Sequence, residues 1–350
     1  MKIADSHMHI KYIDRDNVLR MLDGSYELGV SDASLLSIVT HPEYPIAQNL
    51  AVLGYKDEYK KIKLRAFGAF HERDIYGSVP YVEQTERLLA LGCDGIKFLH
   101  MKPNIRKHVG KGIDDPSYDS ALTLMEERGV PVVLHSGDPE TFWDIDQIPK
   151  SLIARGWFYG DGSYPSCEEH YAEVYRMLDK HPDLKISIAH FFFLSNKPRE
   201  ALSVMRKYPN VRFDLTPGWE MFLGFSRDIS FWRDFFIEYS DRLLFGTDSC
   251  TDKENNAQLY NMVTAALTHS TDEFPMPAYH HPIIRGLDRP TDVVEKICYK
   301  NYISFVGENT ASVDRAMLLD AAKRMKKDTA DCVDTESGAW IGAILGENNE

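Results

Sequence analysis

Short apolar runs of strand-like composition alternate with helical stretches along most of this chain, and that alternation limits the fold more than any other feature. The runs begin at Lys2–Ile10 and recur at Ala33–Val39, Leu64–Phe70, Gly95–Leu99, Pro131–His135, Leu184–His190, Val211–Leu215 and Arg242–Asp248. Helical patterns fall between them, at Val18–Leu28, Val82–Leu91, Tyr118–Arg128, Arg199–Lys207 and Phe231–Tyr239. Gly29, Gly92 and Gly129 stand where three of these helices should stop. Eight such units over about 250 residues match the size of a (β/α)8 barrel. The rival arrangement, an open doubly wound sheet, favours a glycine-rich phosphate turn after the first strand. Lys11, Tyr12, Ile13, Asp14 and Arg15 stand there instead. The expectation is an α/β fold: a distorted (β/α)8 barrel over residues 1–310, as a single domain. A C-terminal helix, Ala311–Lys327, and an acidic tail complete residues 311–350. One long segment, residues 137–166, is rich in Gly, Asp, Pro and aromatics and reads as a loop after the fifth strand.

Composition narrows the partners. A formal net charge of -13 argues against nucleic acid, since phosphates would be repelled. The five cysteines (Cys93, Cys167, Cys250, Cys298 and Cys332) are scattered and form no CxxC pair, which suits a reducing compartment and gives no thiolate metal site. The N-terminus runs directly into a strand without the pattern of a leader, and no run approaches the ~18 apolar residues of a membrane helix. The expectation is a cytoplasmic protein with a small-molecule partner and no membrane; a homo-oligomer is left open.

In a parallel barrel the groups that do chemistry collect at the carboxyl ends of the strands. His7 and His9 end the first run, His135 the fifth, His190 the sixth and Asp248 the eighth. Asp5, His7 and His9 fall at alternate positions, so a regular strand projects all three the same way. Two imidazoles on one strand face can reach one metal ion. Each of these residues alone has an ordinary structural explanation, as a cap or a hydrogen-bonded core group. Convergence of all five at one barrel mouth is what points to a site.

The stretches IADSHMHI, VPVVLHSGDP, ISIAHF and LLFGTDS, with GCDGIKFLH and VVEKICYKNYISFVG, resemble the amidohydrolase superfamily. The resemblance is to its branch related to aminocarboxymuconate-semialdehyde decarboxylase, and it runs from the first strand to about Gly307. It implies one divalent metal, zinc first with Mn, Fe or Co as alternatives, held by His7, His9, His135 and Asp248. It also implies that His190 stands beside the metal-bound water as an acid/base. The superfamily includes hydrolases, non-oxidative decarboxylases, a hydratase and lactonases, so the reaction stays open. The leading expectation is hydrolysis of a C–N or C–O bond in a small carboxylate-bearing substrate. The alternative is non-oxidative decarboxylation of a small aromatic or unsaturated acid; a binding protein on a retained barrel is the third.

Asp248 can ligate the ion, accept a proton from water and return it to the leaving group, with His190 steering the water or stabilising an oxyanion. Asp5 has the place of a group that orients an imidazole, or a plain structural one. Lys97 lies where binuclear members carry a carbamylated lysine; a single metal, with Lys97 meeting a substrate carboxylate, is the expectation. His100, Lys102, Arg106 and Lys107 after the fourth strand, with His71 and Arg73 after the third, suggest a basic rim for an anionic substrate. Ordinary solvated loop charge is the other reading. Trp143, Trp157, Tyr159 and Trp219 either wall a pocket or pack as loop hydrophobes. The expected substrate-binding set is Lys97, Arg73, His100 and Trp219.

Overall fold

The computed structural model describes residues 1–10, 15–38, 47–72, 79–216, 219–250, 253–269, 273–275, 283–328, 341–342 and 344–346. Eight strands pair in sequence order: β1 (Ile3–His9), β2 (Val30–Leu36), β3 (Lys63–Ala69), β4 (Gly95–Met101), β5 (Val132–Ser136), β6 (Ile186–Ile188), β7 (Val211–Asp214) and β8 (Leu243–Leu244). Every neighbouring pair is parallel. A parallel bridge between Met8 and Ser249 brings the two edge strands together, with the backbone N–H of His9 donating to the Ser249 carbonyl at 2.9 Å. This is the expected (β/α)8 barrel.

The strand interiors explain why one end is plug and the other is site. Ala4, Leu36, Phe67, Val133 and Leu244 form one buried apolar cluster, and Tyr302 and Phe305 from the helix Asn301–Val306 complete it. The buried Arg65 guanidinium donates to Asp32 at 3.1 Å and lies 5.3 Å from the Tyr302 ring centre. Polar side chains that follow these apolar positions in β1 and β5 therefore emerge at the opposite, carboxyl end. The outer layer holds the larger core, where Phe191 meets Phe213, Phe225 and Trp232 at ring separations of 4.9, 4.8 and 5.3 Å. The expected C-terminal helix is Arg315–Asp328, and its Leu318, Ala321, Ala322 and Met325 are buried in that core.

Two local departures from the sequence pattern matter for the site. β1 does not alternate regularly: its pairing with β2 shifts between Asp5 and Met8. The Asp5 carboxylate consequently accepts from Thr247 Oγ1 at 2.6 Å and from Tyr260 OH at 2.7 Å, on the helix Lys253–Thr268. His7 instead reaches groups on β4 and β7. The expectation that Asp5 shares a face with His7 and His9 is corrected by this shift. Nor is His190 the last residue of β6. It opens a turn in which four successive non-glycine residues, His190, Phe191, Phe192 and Phe193, have φ of 56, 55, 53 and 53°. Left-handed backbone costs such residues about 1–2 kcal/mol each. Full burial of Phe191 and Phe192 offsets it.

His100 also departs from expectation. It lies within β4, not in the following loop, and it is buried among aromatic rings, 6.2 Å from Tyr81 and 6.1 Å from Tyr118. It therefore does not form part of a rim. Burial, with smaller effects from Lys111 and His71, pushes its imidazole down to about 3. The unfolded chain takes up that proton near pH 6.5, well above the folded protein, so stability falls as pH drops from 6.5 towards 3. Between pH 7 and pH 5 this one residue should account for about 2 kcal/mol of lost stability. Urea unfolding of His100→Phe at both pH values should show a pH difference smaller by that amount. An unchanged difference would mean that His100 does not carry the effect.

Candidate metal centre

The carboxyl end of the barrel assembles its donors from opposite sides of the sheet. Among the described residues, His7, His9 and Asp248 form a group whose ligand atoms all lie within 4.8 Å of one another. The two Nε2 atoms are 3.1 Å apart, and Asp248 Oδ1 stands 3.6 Å from that of His7 and 3.2 Å from that of His9. Asp248 sits four residues beyond β8 with φ 53°, its backbone N–H donating to the His7 carbonyl at 2.9 Å. That bond turns the carboxylate towards β1.

The protons can be placed from the partners. His7 Nδ1 donates to Asp214 Oδ2 at 2.9 Å, and His9 Nδ1 donates to the Leu36 carbonyl at 2.8 Å. A carboxylate and a carbonyl only accept, so both imidazoles carry a proton on Nδ1, and each as a neutral ring has its lone pair on Nε2. Two lone pairs and a carboxylate oxygen thus face one another with no proton between the three. Such an arrangement is repulsive without a cation. Around a tetrahedral ion with ligand bonds of ~2.1 Å, neighbouring donors are about 3.4 Å apart, close to the spacings here. The donor set fits a divalent metal, with histidine nitrogen and carboxylate oxygen suited to zinc and its neighbours.

Electrostatics agree. Burial and the neighbouring Lys97 hold His7 well below the ordinary imidazole range, which keeps its lone pair available. Burial works against ionisation of Asp248, but its close approach to His9 Nε2 at 3.2 Å and the nearby rings of His7 and His190 outweigh it and hold the carboxyl well below its usual range. Lys97 is fully buried in β4 with Nζ 3.1 Å from His7 Nε2. Burial pushes its ammonium down to about 8 against the pull of Asp214 and Asp248.

The structure does not bring every expected ligand together. His135, at the end of β5, is outside the group of three; its ring lies 4.9 Å from that of His190, and its Nε2 is 3.5 Å from Asp138 Oδ1. Asp138 also takes both hydrogen bonds of Lys102 at 3.0 Å and the Tyr159 hydroxyl at 2.7 Å. Burial, partly offset by Asp138, pushes His135 down to about 4, so it too is neutral at pH 7. His190 bridges the two sides, 5.6 Å from the His7 ring, and burial and His135 push it down to about 4.

The rim is not the free basic patch expected. Lys102 is paired with Asp138, and Arg106 donates to Glu173 through Nε and Nη2, the latter at 2.7 Å. Lys107 bonds Ser163. Arg73 lies outside the described residues. Trp219 opens the helix Trp219–Arg227, and its side chain is outside the described residues. A cavity of about 470 Å³ opens beside His190, bounded by Trp143, Cys167, Phe193, Met221 and Arg227. Trp143 thus walls the pocket, and both it and Trp157 pack against a small loop core of Phe142, Ile148 and Tyr159.

Asp214 was not singled out from the sequence, although it holds the His7 ring and ends β7. The rule that found the other residues, a polar group closing an apolar strand, applies to Val211-Arg212-Phe213-Asp214 equally well.

Comparison with known proteins bears on the fold and the family. The barrel is similar to an uncharacterized TIM-barrel protein of Bordetella bronchiseptica, at 15% identity, with 88% of this chain and 100% of that one covered and a TM-score of 0.55. It is also similar to 4-oxalomesaconate hydratase of Rhodopseudomonas palustris, at 11% identity, with 94% and 99% covered and a TM-score of 0.50. At such identities the likeness concerns the fold alone. No curated protein sequence matches the chain. Among the described residues, no helix is long and apolar enough to cross a membrane. The amidohydrolase family model matches residues 75–303, a stretch that includes His135, His190 and Asp248 and begins after His7 and His9. The chain belongs to the amidohydrolase family.

Proposed function

We propose that this protein is a metal-dependent hydrolase that cleaves a C–N or C–O bond in a small substrate carrying a carboxylate. The observation that carries the reading is the convergence of two imidazole lone pairs and the Asp248 carboxylate at one point, with His190 beside it. His7, His9 and Asp248 would hold the ion, and His135, whose ring lies 4.9 Å from that of His190, is the fourth candidate. A bound divalent ion supplies a Lewis acid and lowers the pKa of a bound water towards ~7. Asp248 accepts the proton of the attacking water and returns it to the leaving nitrogen or oxygen. His190, neutral at pH 7, orients that water by hydrogen bonding. Lys97 supplies positive charge at the floor of the site, where a substrate carboxylate can meet it, and the cavity beyond His190 takes the remainder of the molecule.

Lys97→Ala should leave the metal-to-protein ratio unchanged and raise KM for anionic substrates by roughly 10- to 100-fold, the scale of a hydrogen bond to a charged group. Elemental analysis and steady-state kinetics on the variant check both halves. Loss of a second metal on this substitution would identify Lys97 as a bridging ligand instead. The reaction itself is tested by a screen of lactones, amides and aromatic carboxylates with and without chelator. Chelator-sensitive hydrolysis supports the proposal; carbon dioxide release without consumption of water would move the protein to the decarboxylases.

A further inference from the structure

One carboxylate serves both halves of the centre. Asp214 Oδ2 takes the Nδ1 proton of His7, while Asp214 Oδ1 accepts the backbone N–H of His190 at 2.8 Å and the hydroxyl of Thr216 at 2.5 Å. Thr216 has a single hydroxyl proton, and it is given to Asp214, because a carboxylate oxygen only accepts. The Thr216 oxygen is left with lone pairs alone. It stands 3.0 Å from His190 Nδ1 and 3.2 Å from the His190 backbone nitrogen. Both contacts are hydrogen bonds only if His190 is the donor in each. All three residues are buried, Asp214 and Thr216 almost completely, so bulk water does not compete for these groups.

We infer that Asp214 and Thr216 are positioning residues that hold His190 with its proton on Nδ1 and a lone pair on Nε2. His190 then meets the attacking water as a hydrogen-bond acceptor, not a donor. The same carboxylate sets the tautomer of His7, so the ligand and the acid/base histidine are oriented by one group. Asp214 also anchors the start of the left-handed turn through the His190 backbone N–H. The catalytic consequence rests on the role proposed above for His190, but the tautomer itself can be read without any substrate.

The test is nitrogen NMR of protein labelled with 15N-histidine, metal-free and after addition of zinc, with the His190 signals identified by their loss in His190→Gln. In the native protein His190 Nδ1 should resonate as a protonated nitrogen and Nε2 as an unprotonated one. Thr216→Val, close in shape but without the hydroxyl, should shift His190 towards the Nε2-protonated form while the His7 signals and zinc stoichiometry stay as they were. Thr216→Ser should restore the native pattern. Asp214→Asn should disturb both histidines and weaken zinc binding by roughly 10–100-fold, the usual effect of losing a group that braces a ligand. A native His190 protonated on Nε2, or an unaltered His190 tautomer in Thr216→Val, overturns the inference. Because the native spectrum alone can give the first result, the test stands even if a variant fails to fold. Either outcome leaves the hydrolase reading to be judged by turnover.

Discussion

His7→Ala is expected to remove bound metal and turnover together. His7 Nε2 is one of three donors within 4.8 Å, and its loss leaves His9 and Asp248 to hold an ion with half the imidazole nitrogen of the group. The damage extends outward, since Asp214 loses the partner of Oδ2 in a fully buried place and Lys97 loses the contact at 3.1 Å. A buried carboxylate without its partner costs about 1–3 kcal/mol or more. Metal content by elemental analysis should therefore be read beside thermal unfolding. A folded, metal-depleted and inactive variant is the expected result. A variant that keeps its full metal complement would show that His7 does not ligate the ion.

His190→Asn should separate chemistry from coordination. The His190 ring is 5.6 Å from that of His7 and lies outside the ligand group, so the variant should retain its metal. Turnover should fall by roughly 10²–10⁴, the range for a positioned acid/base group. Asparagine tolerates the φ of 56° at residue 190, so the loss should come from the missing imidazole, whose Nδ1 is held by Thr216 at 3.0 Å. Purification of His190→Asn without metal would make His190 a ligand. Full activity with metal retained would leave proton transfer to Asp248 alone.

Much of this architecture was legible because a parallel barrel imposes two simple patterns. Its strands are apolar runs, and its site residues are the polar groups that close them. These patterns located all eight strands; of the five residues they picked out, His7, His9 and Asp248 form one group, with His190 beside His7 and His135 beside His190. They failed where backbone geometry departs from the regular strand. The register shift in β1 sends Asp5 to Thr247 and Tyr260, and no periodicity in IADSHMH shows it. Four left-handed residues after Ile188 contain no glycine, so nothing in AHFFF announces the turn. Charge was the least readable feature. Lys102 and Arg106 looked like free rim cations, yet their carboxylate partners, Asp138 and Glu173, lie 36 and 67 residues further along the chain. His100 and Lys97 share one strand but face different layers, one against Tyr118 and the other against His7. Asp214 was accessible to the same rule as the other strand-end residues and shows that the rule extends to β7.

In the proposed centre a single cation balances the electron pairs of His7, His9 and Asp248, and a metal count on the native protein tests this most directly. Elemental analysis of the purified chain, paired with its turnover before and after chelation, should find one divalent ion per chain whose removal abolishes activity and whose return restores it. Full activity in protein stripped of divalent metal, or two ions per chain in the active form, would contradict it.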